Sequence, residues 1–414
     1  MIQVGGTEPA SMAPVAERDR AVSLDVLRGV AVLGILAMNI RLFAYPQAAY
    51  FNPTAFGDYS GLNQVWFWLT SVFADQKFMT LFSLMFGAGM ALISERAVAR
   101  GQPDRGLLLR RNAWLLVLGL LHAYLVWYGD ILVAYALTGM VIAFCRNWKP
   151  VTQVIVGVLL LALPALSLLA GGLTIDQWPE AELKAALQDW APDAEALAEE
   201  LAIYRGGWLG QLPHRVGTAV EFQTEIFLIF AFWRVAGLML IGMALFRWGW
   251  LTGQRSLAAY RKLMIIGIGL GVPVIAWGLY LNERGGWSYA EAFFLNGQFN
   301  YWGSVVVALG YIGLVMVWCQ GDALPALRAR LAAVGRTAFS CYIAESLICT
   351  LVFYGHGLGL YGTVGYAGQA LVVFAVWALL LFAAPAWLAR YRFGPMEWLW
   401  RSLTYWQRQP MRRA

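Results

Sequence analysis

Charge is scarce in this chain. Asp, Glu, Lys and Arg make up 13% of its 414 residues, about half the ~25% usual in soluble globular proteins. Apolar residues reach 60%, and the balance excludes an ordinary soluble domain. Histidine is scarcer still, with His122, His214 and His356 alone. Cys145, Cys319, Cys341 and Cys349 lie in or beside apolar runs without metal-ligand spacing, so they read as small core residues and no metal is expected. The first twenty residues hold no apolar stretch ending in a small-residue cleavage site, so no cleaved signal peptide is read. HExxH, CxxC, P-loop, GxSxG and Rossmann patterns are missing at sensible positions, which leaves metalloprotease, phosphate-loop and serine-hydrolase chemistry without motif support.

What is abundant is the long apolar run. Runs of roughly 17–25 residues recur, each long enough to cross a bilayer as a helix. A helix satisfies its own backbone in lipid. The expected fold class is therefore all-α, a polytopic membrane protein with about ten transmembrane helices. The spans are placed near residues 22–44, 65–94, 108–128, 130–146, 151–172, 226–247, 260–281, 301–319, 334–354 and 367–389.

Positive charge divides between alternate connections. One side holds Arg18, Arg20, Arg96, Arg100, Arg105, Arg110, Arg111, Arg146, Lys149, Arg247, Arg255, Arg261, Lys262, Arg328, Arg330, Arg336 and the Arg-rich tail from Arg390; the loops of the other hold Lys184, Arg205, Arg215 and Arg284. By the positive-inside rule both termini are cytoplasmic. The net charge of +6 is then a topology signal and implies no nucleic-acid partner; the expected surroundings are membrane lipids.

The expected organisation is a cytoplasmic segment at 1–21, a first group of five spans at 22–172, an extracytoplasmic loop at 173–225, a second group of five at 226–389, and a basic interfacial tail at 390–414. The loop is acidic, has apolar positions at helical spacing, and is punctuated by Pro192 and Gly206-Gly207, which predicts short amphipathic helices. The tail GPMEWLWRSLTYW places Pro395 at a first helical position and Glu397 in the first turn, as an interfacial anchor or a lid over a cytoplasmic site.

Ionisable groups inside a span are costly and ask for a reason. The first span, SLDVLRGVAVLGILAMNIRLF, carries four polar residues. Arg28 and Asn39 differ by only about 20° around the helix and about 16 Å along it, and Asp25 lies within about 60° of both. Arg41 points the opposite way and reads as an interfacial anchor. Asp75 and Lys77 sit near the middle of the second span, His122 lies deep in the third with Asp130 after it, Arg234 lies in the sixth, and Glu345 in the ninth. Each has a bland reading: a salt bridge for Asp25 and Arg28, an interhelical hydrogen bond for Asn39, a satisfied core residue for His122, and a counter-ion network for Glu345 and Arg336.

The segments SLDVLRGVAVLGILAMNI, FMTLFSLMFGAGM, LRRNAWLLVLGLLHAYLVWYGDILVAYALTGM, GRTAFSCYIAESLI, FYGHGLGLYG and GPMEWLWRSLTYW, in this order, resemble the YeiB-like family of bacterial multi-spanning proteins. That family is a domain of unknown function, and the likeness covers nearly the whole chain. It is similar in turn to the heparan-α-glucosaminide N-acetyltransferase and acyltransferase-3 families. The resemblance implies residence in the bacterial cytoplasmic membrane and transfer of an acyl group, most simply acetyl, from cytoplasmic acyl-CoA to a glycan or small amine or alcohol on the far side. A homodimer is suggested only by similarity to the heparan acetyltransferase. The acyltransferase-3 pattern sets a catalytic His after ten residues beyond an Arg; from Arg28 that position is Asn39, so a base must be sought elsewhere. Asp75 in FADQKF resembles the Asp that follows the acetyltransferase's outer-loop His, but the outer loop here contains no His.

The expected mechanism places the nucleotide end of acyl-CoA on Arg28, Arg105, Arg110, Arg111 and Arg336. His122 acts as base, oriented by Asp75 or Asp130, with Asn39 or Lys77 at the oxyanion. Asp25, Lys77, Arg234 and Glu345 line the substrate path. A transporter or flippase, and a non-catalytic ligand-binding membrane protein, are the alternatives.

Overall fold

The computed structural model describes residues 22–413, and every regular element among them is helical. The segment 1–21, read as a cytoplasmic N-terminal stretch, lies outside the described residues. The first apolar run forms α1 (Val22–Ala44). Its apolar window is 89% buried within the protein, so α1 is a central helix with little surface left for lipid.

After the single turn of α2 (Ala48–Phe51), α3 (Gly61–Phe73) and α4 (Lys77–Ala99) follow. The sequence predicts one span over 65–94 with Asp75 and Lys77 mid-helix. The structure breaks it at that point: Gln76 has φ 61°, in the left-handed region, and the helix restarts at Lys77. A left-handed non-glycine residue cannot continue an α-helix, so the two charged residues flank an interruption within the apolar stretch Gly61–Ala99.

Next come α5 (Asp104–Leu125) and α6 (Leu132–Ile142), a tight antiparallel pair, and α7 (Pro150–Thr174), with Pro150 in its first turn. Three short helices form the long connection: α8 (Glu180–Trp190), α9 (Ala194–Arg205) and α10 (Leu212–Glu221). Asp193 caps α9 by accepting from the Ala196 N–H at 2.9 Å. The chain re-enters through a ten-residue π-helical segment, Phe222–Ala231, and continues as α11 (Phe232–Arg247). Then follow α12 (Leu257–Arg284), a second π-helical segment at Ala290–Leu295, and α13 (Gly297–Gln320). A pair bent by 85°, α14 (Pro325–Arg336) and α15 (Ala338–Phe353), precedes α16 (Tyr366–Arg390) and the terminal α17 (Pro395–Tyr405).

Among the described residues, seven helical stretches are long and apolar enough to cross a membrane, or eight if α14 and α15 form one span. The segments expected at 108–128 and 130–146 correspond to α5 and α6, which fall outside that count. The start of α5 carries Asp104, Arg105, Arg110 and Arg111. Eleven residues of α6 and a three-residue 3-10 turn reach only about 20 Å, against a hydrocarbon core of about 30 Å.

Close helix contacts rest on glycine. A Cβ on Gly87 of α4 would fall 2.0 Å from the Met239 carbonyl oxygen of α11, and one on Gly242 would fall 2.0 Å from that of Leu84. The α1–α14 contact uses Gly29 and Gly335 in the same way, with a Cβ on Gly335 only 1.7 Å from the Asp25 carbonyl. Small residues serve this purpose in lipid, where association depends on packing. The bend before α15 is closed by α17. Glu397 accepts from the Phe339 N–H at 2.7 Å and the Ser340 N–H at 3.1 Å, two first-turn donors of α15.

Candidate functional site

The bundle has two chemically distinct ends. The end holding the first turns of α1 and α5 is rich in arginine; the opposite end is covered by α8, α9 and α10.

His122 sits near the covered end, 18 residues after Asp104 on α5 and so about 27 Å along it. The last carbonyls of α5 are capped from above: Tyr124 O accepts from Arg215 Nε at 2.9 Å and Leu125 O from Trp208 Nε1 at 2.8 Å. His122 Nδ1 lies 2.7 Å from Asp130 Oδ1, with the side chains 2% and 0% exposed. The other Asp130 oxygen accepts from the Val133 N–H at 2.8 Å, in the first turn of α6. The carboxylate is thus fixed by the helix that follows it, and the ring by the carboxylate. With Asp130 ionised and the ring neutral, Nδ1 is the donor and Nε2 carries the lone pair. That Nε2 is buried and has no hydrogen-bond partner among the described residues.

The ring faces Tyr342 of α15, centroid to centroid 5.2 Å. The Tyr342 oxygen accepts from the Ile131 N–H at 3.2 Å, which leaves its own proton free to donate. Glu345, one turn along α15, is buried and within electrostatic range of Tyr342. Asn39 is buried on α1, about one turn before Phe43, whose ring stacks on Trp127 at 3.9 Å. Among the described residues Asn39 makes no hydrogen bond to His122 or Asp130. Tyr342 was not singled out in the sequence, although it shares a helix face with Glu345 at a spacing of three.

At the arginine-rich end, Arg28 pairs with Asp25 at 3.1 Å. Arg28 is within electrostatic range of Arg111 and of Arg401. Arg401 belongs to α17 and was not among the expected residues; the only signal for it was the Arg-rich tail. The Arg111 guanidinium lies 3.5 Å over the Trp400 ring, and Trp400 Nε1 donates to Arg111 O at 2.8 Å. Arg110 donates through Nε to Thr404 O. Arg105 is exposed and lies over Phe144, 5.6 Å to its centroid. Arg336 ends α14 beside Gly335, which touches the Asp25 backbone. Of the five expected arginines, Arg28 and Arg111 are joined by Arg401, Arg110 is turned onto α17, Arg105 is turned toward Phe144, and Arg336 stands at the end of α14.

The remaining expected residues form a second network at the covered end. Lys77 Nζ donates to Ser71 O at 2.6 Å and Asn300 Oδ1 at 2.5 Å, and Asn300 Nδ2 donates to Asp75 Oδ2 at 2.7 Å. Tyr50 OH donates to Asp75 Oδ1 at 2.8 Å. Asp75 is thus committed to Asn300 and Tyr50, and Asp130 is the carboxylate that holds His122. Lys77 is likewise committed away from the histidine. Arg234 donates to Ser304 Oγ at 2.7 Å and Thr80 Oγ1 at 3.1 Å. Arg41, expected to anchor at the interface, is buried: its Nη2 donates to Phe67 O at 3.0 Å, to Ser71 Oγ at 2.9 Å and to Thr70 Oγ1. The cause is α3, which folds back against the end of α1 and supplies those acceptors. Tyr135 links the two interior sites; it lies within electrostatic range of Arg234 and of Tyr342, and its hydroxyl meets Ser83 Oγ at 2.6 Å.

These features define a multi-span helical membrane protein with a polar interior, a buried His–carboxylate pair near one face and guanidinium groups at the other. The chain is 34% identical over 394 residues to the uncharacterized protein YeiB of Escherichia coli, covering 93% of this chain and 96% of the relative. It is 30% identical over 416 residues to the uncharacterized protein YxaH of Bacillus subtilis, covering 97% and 98%. A family model described as a protein of unknown function (DUF418) matches residues 245–407. The chain belongs to this YeiB-like DUF418 family. No solved structure matches it.

Proposed function

We propose that the protein is a membrane acyltransferase that moves an acyl group from acyl-CoA, held at the arginine-rich end, to an acceptor hydroxyl or amine at the covered end. The observation that carries the reading is the His122–Asp130 pair, with Nδ1 engaged at 2.7 Å and Nε2 buried without a partner. Such a ring is held in one tautomer and has one nitrogen left to accept a proton.

In this mechanism His122 Nε2 takes the proton from the acceptor O–H or N–H as the acceptor attacks the thioester carbonyl carbon. The oxygen that becomes negative accepts from the Tyr342 hydroxyl, with the Asn39 amide as a second donor. The C–S bond then breaks, and the departing thiolate recovers the proton from His122. A positioned base contributes about 10²–10⁴-fold in rate, and an oxyanion donor roughly 3–4 kcal/mol. Arg28, Arg111 and Arg401 suit the phosphates of the co-substrate, because a guanidinium fork matches an oxyanion in geometry. The excess of Lys and Arg on that side favours a cytoplasmic placement in a bacterial inner membrane.

The test is protein reconstituted with labelled acetyl-CoA and a panel of amino sugars, glycans and small amines, comparing wild type with His122→Ala. The proposal expects acetyl-CoA binding in both and transfer in wild type alone. Transfer that survives the substitution removes His122 from the chemistry; no acetyl-CoA binding by either protein sinks the acyltransferase reading and favours a carrier.

A further inference from the structure

The second network holds more positive charge than its own partners balance. Arg41 is 4% exposed, and Lys77 and Arg234 are 0% exposed. Lys77 lies within electrostatic range of Asp75, Arg41 and Arg234. Among the described residues, the hydrogen bonds and charge contacts of these three cations include one carboxylate, Asp75. Counted with Lys77 as its ammonium, the three leave a surplus of two buried positive charges, which the Phe67 ring 4.0 Å from Arg41 and the Tyr301 ring 4.3 Å from Arg234 offset only in part.

The donors are also incompletely used. Arg41 Nε and Arg234 Nε are buried without hydrogen-bond partners among the described residues. Lys77 spends two of its three ammonium protons, on Ser71 O and Asn300 Oδ1. Unsatisfied buried donors on charged groups are rare in a settled core and ask for an acceptor.

The backbone is irregular in the same place. The α3–α4 span breaks at Gln76, next to Lys77. Arg234 enters on α11 just after the π-helical segment Phe222–Ala231, and Asn300 and Ser304 enter on α13 shortly after the one at Ala290–Leu295. Departures from α-helix geometry inside spans concentrate at ligand sites. Ser71 and Asn300, which accept from the cations, and Asp75 and Tyr50, bonded in turn to Asn300 and to each other, are half-buried, whereas the three cations are buried.

We propose that Arg41, Lys77 and Arg234 form a binding site, opening toward the covered end, for an oxyanionic group of the carboxylate, phosphate or sulfate class. The bound oxygen takes the place that Asn300 Oδ1 holds at Lys77 and reaches the unused guanidinium donors. The site is independent of acyl transfer and would hold equally in a carrier.

The experiment uses the full chain in nanodiscs of neutral phosphatidylcholine, titrated with sodium phosphate against sodium chloride at matched ionic strength. A second preparation contains phosphatidylglycerol without added phosphate. Saturable thermal stabilisation by phosphate is expected in neutral lipid, with half-saturation shifted upward about tenfold or more in Lys77→Gln, the loss of one charge-assisted contact. Stabilisation by phosphatidylglycerol alone, lost in Lys77→Gln, assigns the oxyanion to a lipid headgroup. Thr80→Asp, of nearly the same size, sets a carboxylate against Arg234; it is expected to raise the melting temperature without any added anion and to abolish the phosphate response. Equal responses in wild type and Lys77→Gln, no response to either anion source, or a Thr80→Asp protein that melts below wild type would overturn the proposal.

Discussion

His122 and Glu397 show how single residues here depend on what fixes them. His122 and Asp130 are eight positions apart on a chain that turns between α5 and α6, and the Val133 N–H fixes the second carboxylate oxygen. Glu397 lies outside the spans, on α17. Burial raises its carboxyl above the ordinary value of 4.5, and the Ser340 and Phe339 donors only partly offset this. A raised carboxyl contributes stability that is present below pH 4.5 and is lost as pH rises through its raised value. Wild type should therefore lose melting temperature relative to Glu397→Gln as pH is raised from about 4.5 to 8; parallel curves would contradict the assignment. The deep histidine was legible in the sequence because His is scarce and the other two lie outside the apolar runs, His214 in the connection that forms α10 and His356 in the turn after α15. Arg41 was not, because nothing in its own segment shows that Phe67, Thr70 and Ser71 return to meet it.

Among elements, the helix pairs closed by glycine are the stiff part of the molecule and the interrupted helices the specialised part. Gly87 lies in the FGAGM stretch of α4, where small residues permit close approach, and the carbonyl it meets is that of Met239. Gly335→Val should separate α14 from α1 and lower stability by on the order of 1–3 kcal/mol, measured by denaturant titration in detergent micelles. An unchanged midpoint would contradict the close contact. The break at Gln76 was hidden because no Gly or Pro marks it, and the left-handed residue is held by tertiary packing. The π-helical segments were hidden because their composition is that of any apolar helix. The terminal helix α17 reads as a Trp- and Arg-rich anchor, yet it places Trp400 under Arg111 and Arg401 within range of Arg28. Trp400→Leu removes a cation–π contact worth about 0.5–2 kcal/mol. It should weaken acetyl-CoA binding, read by equilibrium titration, while phosphate binding at the covered end stays the same.

For the whole molecule, the distribution of polar groups in depth sets the functional reading. Helical class and membrane residence followed from apolar runs alone, since lipid leaves the backbone few choices. Which polar residues share a site did not follow, because helix neighbours are chosen by packing across the chain. The sequence grouped Asp75 and Lys77 with His122; the bundle instead divides them between two sites joined by Tyr135. The arginine-rich end and the His122–Asp130 pair lie about a membrane's half-thickness or more apart, so the proposed chemistry requires a co-substrate long enough to span that depth. The most direct measurement is sided: proteoliposomes with labelled acetyl-CoA supplied only at the arginine-rich face and acceptor only at the other. Label should appear on the acceptor with wild type, and the rate should fall about 10²–10⁴-fold in Asp130→Asn with acetyl-CoA affinity unchanged. Label that stays on CoA, or an Asp130→Asn rate equal to wild type, would contradict it.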